Sequence, residues 1–175
     1  MRVAGIVGWH DSGKTTLLVA LVGALTARGH SVSTVKHAHH GFDVDTPGKD
    51  SWNHRAAGAR EVMVGSAKRW ALMHELRGAP EPALGDLLKI MSPVDIVLVE
   101  GFKSEAHDKI EVWHEGLEEP PLATSDPTVV ALVTAGPVDG VPGTLMRLDP
   151  ADVEAVADFV ERHWALSRPP HAAEA

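Results

Sequence analysis

Gly8-Trp9-His10-Asp11-Ser12-Gly13-Lys14-Thr15 is a glycine, four residues, then Gly-Lys-Thr, the spacing of a phosphate-binding loop. Its surroundings fit. Val3-Ala4-Gly5-Ile6-Val7 ahead of it is apolar and reads as a buried strand, and Thr16-Leu17-Leu18-Val19-Ala20-Leu21 behind it opens a helix. Strand, loop, helix is the order such a loop needs. Backbone N–H groups of the loop and of the helix N-terminus can then face the oxygens of a polyphosphate. Gly8 and Gly13 allow a close approach that a Cβ would hinder. Ser12 and Thr16 complete the cradle, Lys14 reaches the β- and γ-phosphates, and the Thr15 hydroxyl offers a ligand to Mg²⁺.

Leu17, Leu18, Leu21 and Leu25 recur at helical spacing, which predicts a helix from Lys14 to about Arg28, with Gly29 as its stop. Ser31–Lys36 reads as a second strand; if it pairs in parallel with the first, the two form a βαβ unit. The polar run Lys36–Asp50 is expected to be a long loop beyond a strand end, where ligands of open α/β sheets bind. Asp50 is expected to cap a short helix over Ser51–Ala57. Glu61–Val64 and Arg69–Met73 flank Gly65-Ser66-Ala67-Lys68 as a β-hairpin. Leu84–Met91 reads as a helix, Lys109–Trp113 and Val129–Val133 as strands, and Asp149-Pro150 as the opening of a last helix running to about Trp164.

Asp95-Ile96-Val97-Leu98-Val99-Glu100-Gly101 is an apolar strand ending in a carboxylate. With a phosphate-binding loop upstream, Glu100 is expected to meet Mg²⁺ or its water shell.

The chain has 175 residues, 44% of them hydrophobic, no cysteine and a net charge of −8. One domain over residues 1–165 is expected, with 166–175 a disordered tail. Thiolate chemistry is excluded, and an acidic chain argues against nonspecific nucleic-acid binding. No stretch reads as a leader or a membrane span, so a cytoplasmic location is expected.

Several stretches resemble one family. Gly8-Trp9 with Ser12–Leu17, the run Lys36-His37-Ala38-His39-His40, Asp43-Val44-Asp45, Pro47–Ser51 and Leu98–Lys103 are similar to MobB, the molybdopterin-guanine dinucleotide biosynthesis adaptor proteins. Arg69–Met73 and Asp158–Val160 look like it too. The resemblance implies an α/β P-loop NTPase domain, with a mostly parallel central sheet, helices on both faces and a β-hairpin extension. It implies GTP and Mg²⁺ as ligands, homodimers, weak GTP hydrolysis and assistance to a MobA-type guanylyltransferase that acts on molybdopterin. Asp43, Asp45 and Glu100 become candidates around the metal, with Gly13, Lys14 and Thr15 on phosphates and Mg²⁺.

Two positions depart from the family pattern. Asp11 stands where Asn is usual, and its oxygen could hold a monovalent cation beside the phosphates. Thr134-Ala135-Gly136-Pro137 carries no acid to read a guanine edge; the nearest is Asp139. His37, His39 and His40 could bind Zn²⁺ or Ni²⁺, or hydrogen-bond to phosphate or a partner, and His30 and His163 read as surface residues. A small-molecule kinase and a metallochaperone GTPase are the other functions compatible with the motifs.

Overall fold

A computed structural model describes residues 1–38 and 41–167. His39, His40 and the tail from residue 168 lie outside them. The elements in chain order are β1 (Arg2–Val7), α1 (Lys14–Ala27), β2 (Val32–Lys36), α2 (Asp50–Ala56), β3 (Glu61–Gly65), β4 (Trp70–His74), α3 (Leu84–Ile90), β5 (Ile96–Glu100), β6 (Lys109–Val112), β7 (Val129–Val133), β8 (Met146–Leu148) and α4 (Val153–His163), with a 3-10 turn at Leu122–Thr124. They fall into two compact units, Met1–His37 with the chain from Ser92 onward, and Ala38–Met91. No described helix is long and apolar enough to cross a membrane.

The first unit holds a six-stranded sheet in the order β2-β5-β1-β6-β7-β8, and every pairing in it is parallel. Strand β5 is buried at each of its residues, as expected of a strand covered on both faces. It lies between β1 and β2, so the condition set for a directly paired βαβ unit is not met. The insertion brings the Glu100 end of β5 beside Ile6 of β1 and Lys36 of β2. Ala4, Ile6, Ile96, Leu98, Ile110, Val112, Ala131 and Val133 form one face of the sheet, and pack with Leu17, Leu18, Leu21 and Leu25 of α1 and with Val156, Phe159 and Val160 of α4. Truncating a core leucine such as Leu21 should cost about 2–5 kcal/mol. The other face meets an irregular segment. There buried Glu111 accepts hydrogen bonds from the Leu122 and Ala123 amides at 2.7 and 2.8 Å, and buried Lys109 is bound by Asp126 and Thr128.

Helix α4 starts later than expected. Its cap is Asp152, whose carboxylate accepts from the Ala155 amide, while Asp149 accepts from Ala151 and closes a separate turn. His30 is not a surface residue. It is buried, with Nε2 2.8 Å from Glu161 Oε1, because α4 folds its acidic face over the end of α1; Arg28 also meets Glu154, Asp158 and Glu161 there. His163 is exposed, as expected, and pairs with Asp108 at 2.7 Å.

The second unit contains the expected hairpin, β3 and β4 pairing antiparallel, with α2 and α3. Lys49, not Asp50, is the cap position of α2. Asp50 lies inside the first turn, where its charge favours the helix dipole instead.

Candidate functional site: a phosphate-binding loop and the acid-ended strand

The loop between β1 and α1 is shaped by backbone geometry. Gly8 has φ 152°, and a Cβ there would fall 2.4 Å from Ser12 Oγ and 2.5 Å from the Val112 carbonyl. Gly13 caps α1 at φ 87°, and no side chain caps the helix, so the first amides of α1 are left for another acceptor. Asp11 has φ 58°, a region a non-glycine residue enters at a cost of order 1–3 kcal/mol. Ser12 Oγ is buried and has no hydrogen-bond partner. An orphaned hydroxyl beside an uncapped helix start fits an anion that would satisfy both. Thr16, in the first turn, is exposed.

Lys14 Nζ donates to the Trp9 carbonyl at 2.9 Å. Burial holds its pKa below the ordinary lysine value, with Glu100 opposing that shift and Lys103 and Lys36 adding to it. Thr15 Oγ1 donates to Glu100 Oε1 at 2.8 Å, and Lys36 Nζ lies 3.1 Å from the same oxygen. The hydroxyl and carboxylate expected to share Mg²⁺ are thus in contact, and both are hard oxygen donors suited to that ion.

Asp43 and Asp45 belong to the second unit and are joined by Arg55. Its guanidinium reaches Asp43 Oδ2 at 2.7 Å, Asp45 Oδ2 at 3.2 Å and Glu75 at 2.8 Å. The hydrogen bond from Arg55, with that from the Asp45 amide, holds the Asp43 carboxyl below its usual pKa range. Asp11 Oδ2 lies 2.9 Å from His10 Nδ1, both side chains exposed. Among the described residues no group of three or more His, Cys, Asp or Glu is arranged to hold a metal ion. The His37 ring packs on Phe102 at 4.7 Å between centroids. Asp139 is exposed, next to buried Val138.

The sequence reading placed Leu98–Lys103 in the family resemblance but gave Phe102 and Lys103 no contact. Gly101 has φ 93° and Phe102 φ 51°. These successive left-handed residues turn the chain so that Lys103 Nζ lies 4.1 Å from the centroid of the Trp9 ring. The Trp9 indole N–H donates to the Pro120 carbonyl at 2.9 Å, in the segment that Glu111 pins. Burial raises the Glu111 pKa. A lysine three residues beyond an acid-ended strand was the available signal for Lys103.

The comparisons agree with this geometry. A family model described as molybdopterin guanine dinucleotide synthesis protein B matches residues 3–135. The molybdopterin-guanine dinucleotide biosynthesis adapter protein of Escherichia coli strain K12 is 43% identical over 155 residues, 87% of this chain and 87% of its own. That of Haemophilus influenzae is 41% identical over 163 residues, 91% of this chain and 87% of its own. The crystal structure of a MobB protein homolog from Bacillus stearothermophilus superposes with a TM-score of 0.69 at 25% identity, over 95% of this chain and 100% of that one. Bacillus subtilis MobB gives 0.66 at 25% identity, over 90% and 97%. Because the family model matches residues 3–135, a span that takes in the loop after β1, strand β5 and the end of β7, the chain belongs to the MobB family, that of molybdopterin guanine dinucleotide synthesis protein B.

Proposed function

We propose that this protein is a GTP-binding adaptor in the synthesis of the molybdopterin guanine dinucleotide form of the molybdenum cofactor. The observation that carries the reading is the contact of Thr15 Oγ1 with Glu100 Oε1 at 2.8 Å, beside a loop whose Ser12 hydroxyl is buried and unpaired. Gly8, Asp11, Ser12, Gly13, Lys14, Thr15 and Thr16 form the phosphate cradle. Thr15 and Glu100 would hold Mg²⁺, which when bound offsets charge on the β- and γ-phosphates. Asp43 and Asp45 enter as metal candidates through the family resemblance; both already share Arg55, so the metal assignment rests on Thr15 and Glu100. Lys14 keeps its ammonium against a backbone carbonyl, pre-positioned near phosphate oxygens.

The names of the relatives support a role beside the guanylyltransferase that builds the dinucleotide cofactor, with slow hydrolysis as an accompanying activity. Self-association is supported by the hairpin. Met63 faces Leu72 across the ladder and Gly65 faces Trp70, and Met63, Leu72 and Trp70 are exposed on one side. Contiguous apolar surface of this kind marks interaction sites. The test is a reconstituted guanylyltransferase reaction on molybdopterin with GTP. Adding this protein should raise the yield of dinucleotide cofactor, and Lys14→Ala should not. Equal yields with the parent, with the variant and without either would overturn the adaptor reading.

A further inference from the structure

We propose that Lys103 is a second phosphate-contacting cation, held over the phosphate-binding loop by the Trp9 ring and directed at the terminal phosphate of the bound nucleoside triphosphate. The inference rests on the nucleotide reading above and deepens it.

Two ammonium groups converge on Trp9. Lys14 lies on its carbonyl at 2.9 Å and Lys103 over its ring at 4.1 Å from the centroid. Trp9 is itself a loop residue, between Gly8 and His10. Lys103 therefore shares the electrostatic environment of Lys14, the group expected on the β- and γ-phosphates. Burial is the main cause of the lowered Lys14 pKa; Glu100 opposes the shift, and Lys103 adds to it. Gathering cations in this way is unfavourable on its own, and more costly where Lys14 is partly withdrawn from water. In a protein of net charge −8, this local concentration of positive charge fits a polyanion.

The backbone that delivers Lys103 is specialised for the task. Phe102, a bulky residue, has φ 51°, directly after Gly101 at φ 93°. The Phe102 ring is buried and packs on His37. The His37 amide donates to the Glu100 carbonyl at 2.9 Å. Strain of this kind persists where the surroundings over-determine it, and it clusters at ligand clamps. The Trp9 ring is fixed in turn by its hydrogen bond to the Pro120 carbonyl. An aromatic face is a suitable perch for an ammonium, since it holds the cation without neutralising its charge.

The terminal phosphate is what distinguishes a triphosphate from a diphosphate. A cation aimed there adds to the affinity for one and little to the other. Trp9 is the positioning residue and Lys103 the contact.

The experiment measures affinities of the parent and five variants for Mg·GTP, its non-hydrolysable β,γ-imido analogue and Mg·GDP. Lys103→Gln should lower triphosphate affinity roughly tenfold, the usual scale of a lost charge-assisted contact, and leave diphosphate affinity nearly unchanged. Lys103→Arg should restore the triphosphate preference. Trp9→Leu should lose it with Lys103 intact, and Trp9→Phe, which keeps a ring, should retain it. Equal losses for tri- and diphosphate in Lys103→Gln, or no loss for either, would overturn the proposal while Lys14→Ala still weakened both nucleotides. Unchanged binding of both by Lys14→Ala would instead overturn the nucleotide reading beneath it.

Discussion

Gly101 joins the acid-ended strand to the Phe102–Lys103 turn, and replacing it by alanine should damage both stability and phosphate binding. Its φ of 93° lies in the left-handed region, which costs an L-residue with a Cβ about 1–2 kcal/mol. The new Cβ would also sit 2.8 Å from the Cβ of His37. That atom is one bond from the backbone of β2's end and cannot swing aside, so relief requires a main-chain shift. Overpacking of this kind adds about 1–3 kcal/mol. The sum, about 2–5 kcal/mol, is a large part of the roughly 5–15 kcal/mol that holds a typical domain folded. At about 2–4 °C per kcal/mol for a chain of this size, the midpoint of thermal unfolding should fall by at least about 4 °C. Circular dichroism melts of Gly101→Ala and parent would measure it, and Mg·GTP titration of the folded variant should show weaker binding. A midpoint within about 1 °C of the parent, with unchanged GTP affinity, would refute the steric argument and the link from this turn to the site.

Other outcomes follow from the same geometry. Glu100→Gln should weaken nucleotide binding more with Mg²⁺ present than without it, measured by titration in both conditions; equal effects would leave Glu100 a structural partner of Thr15 and Lys36. Asp11→Ala should abolish any stimulation of hydrolysis by K⁺ over Na⁺ at constant ionic strength, while identical parent rates in the two salts would remove the monovalent-cation role. His107 carries two buried ring nitrogens with no partner, and burial, then Lys109, depresses its pKa below the usual 6.5. The folded state therefore favours the neutral ring. Its stabilising contribution is complete above about pH 6.5 and is lost as pH falls through the depressed value. His107→Leu should flatten this part of the stability–pH curve in denaturant melts, and an unchanged slope would assign the dependence elsewhere.

The phosphate-binding loop and the acid-ended strand were legible because their signals are local. Gly8, Gly13, Lys14 and Thr15 sit at fixed spacing, and an apolar run ending in Glu100 needs no tertiary information. The hairpin was legible for the same reason, with four turn residues between two β-prone runs. What escaped depended on distant pairing. Nothing in β1 or β2 says that β5, some sixty residues later in the chain, inserts between them. Strand β8 has three residues, too few for a period to register. Asp149-Pro150 looked like a helix start, yet Asp152 won because its carboxylate reaches the Ala155 amide. The burial of His30 became visible only once α4 supplied Glu161. The contact of Lys103 was hidden because its partner, the Trp9 ring, belongs to the loop after β1, some ninety residues earlier in the chain.

The central claim is that this loop binds a magnesium nucleoside triphosphate, and calorimetric titration of Mg·GTP and Mg·ATP into the parent and into Lys14→Ala tests it most directly. The parent should bind Mg·GTP in preference to Mg·ATP. Lys14→Ala, with an unchanged circular dichroism spectrum, should bind at least about tenfold more weakly, or about 1.4 kcal/mol. A parent that binds neither nucleotide, or a folded Lys14→Ala that binds Mg·GTP as tightly as the parent, would contradict it.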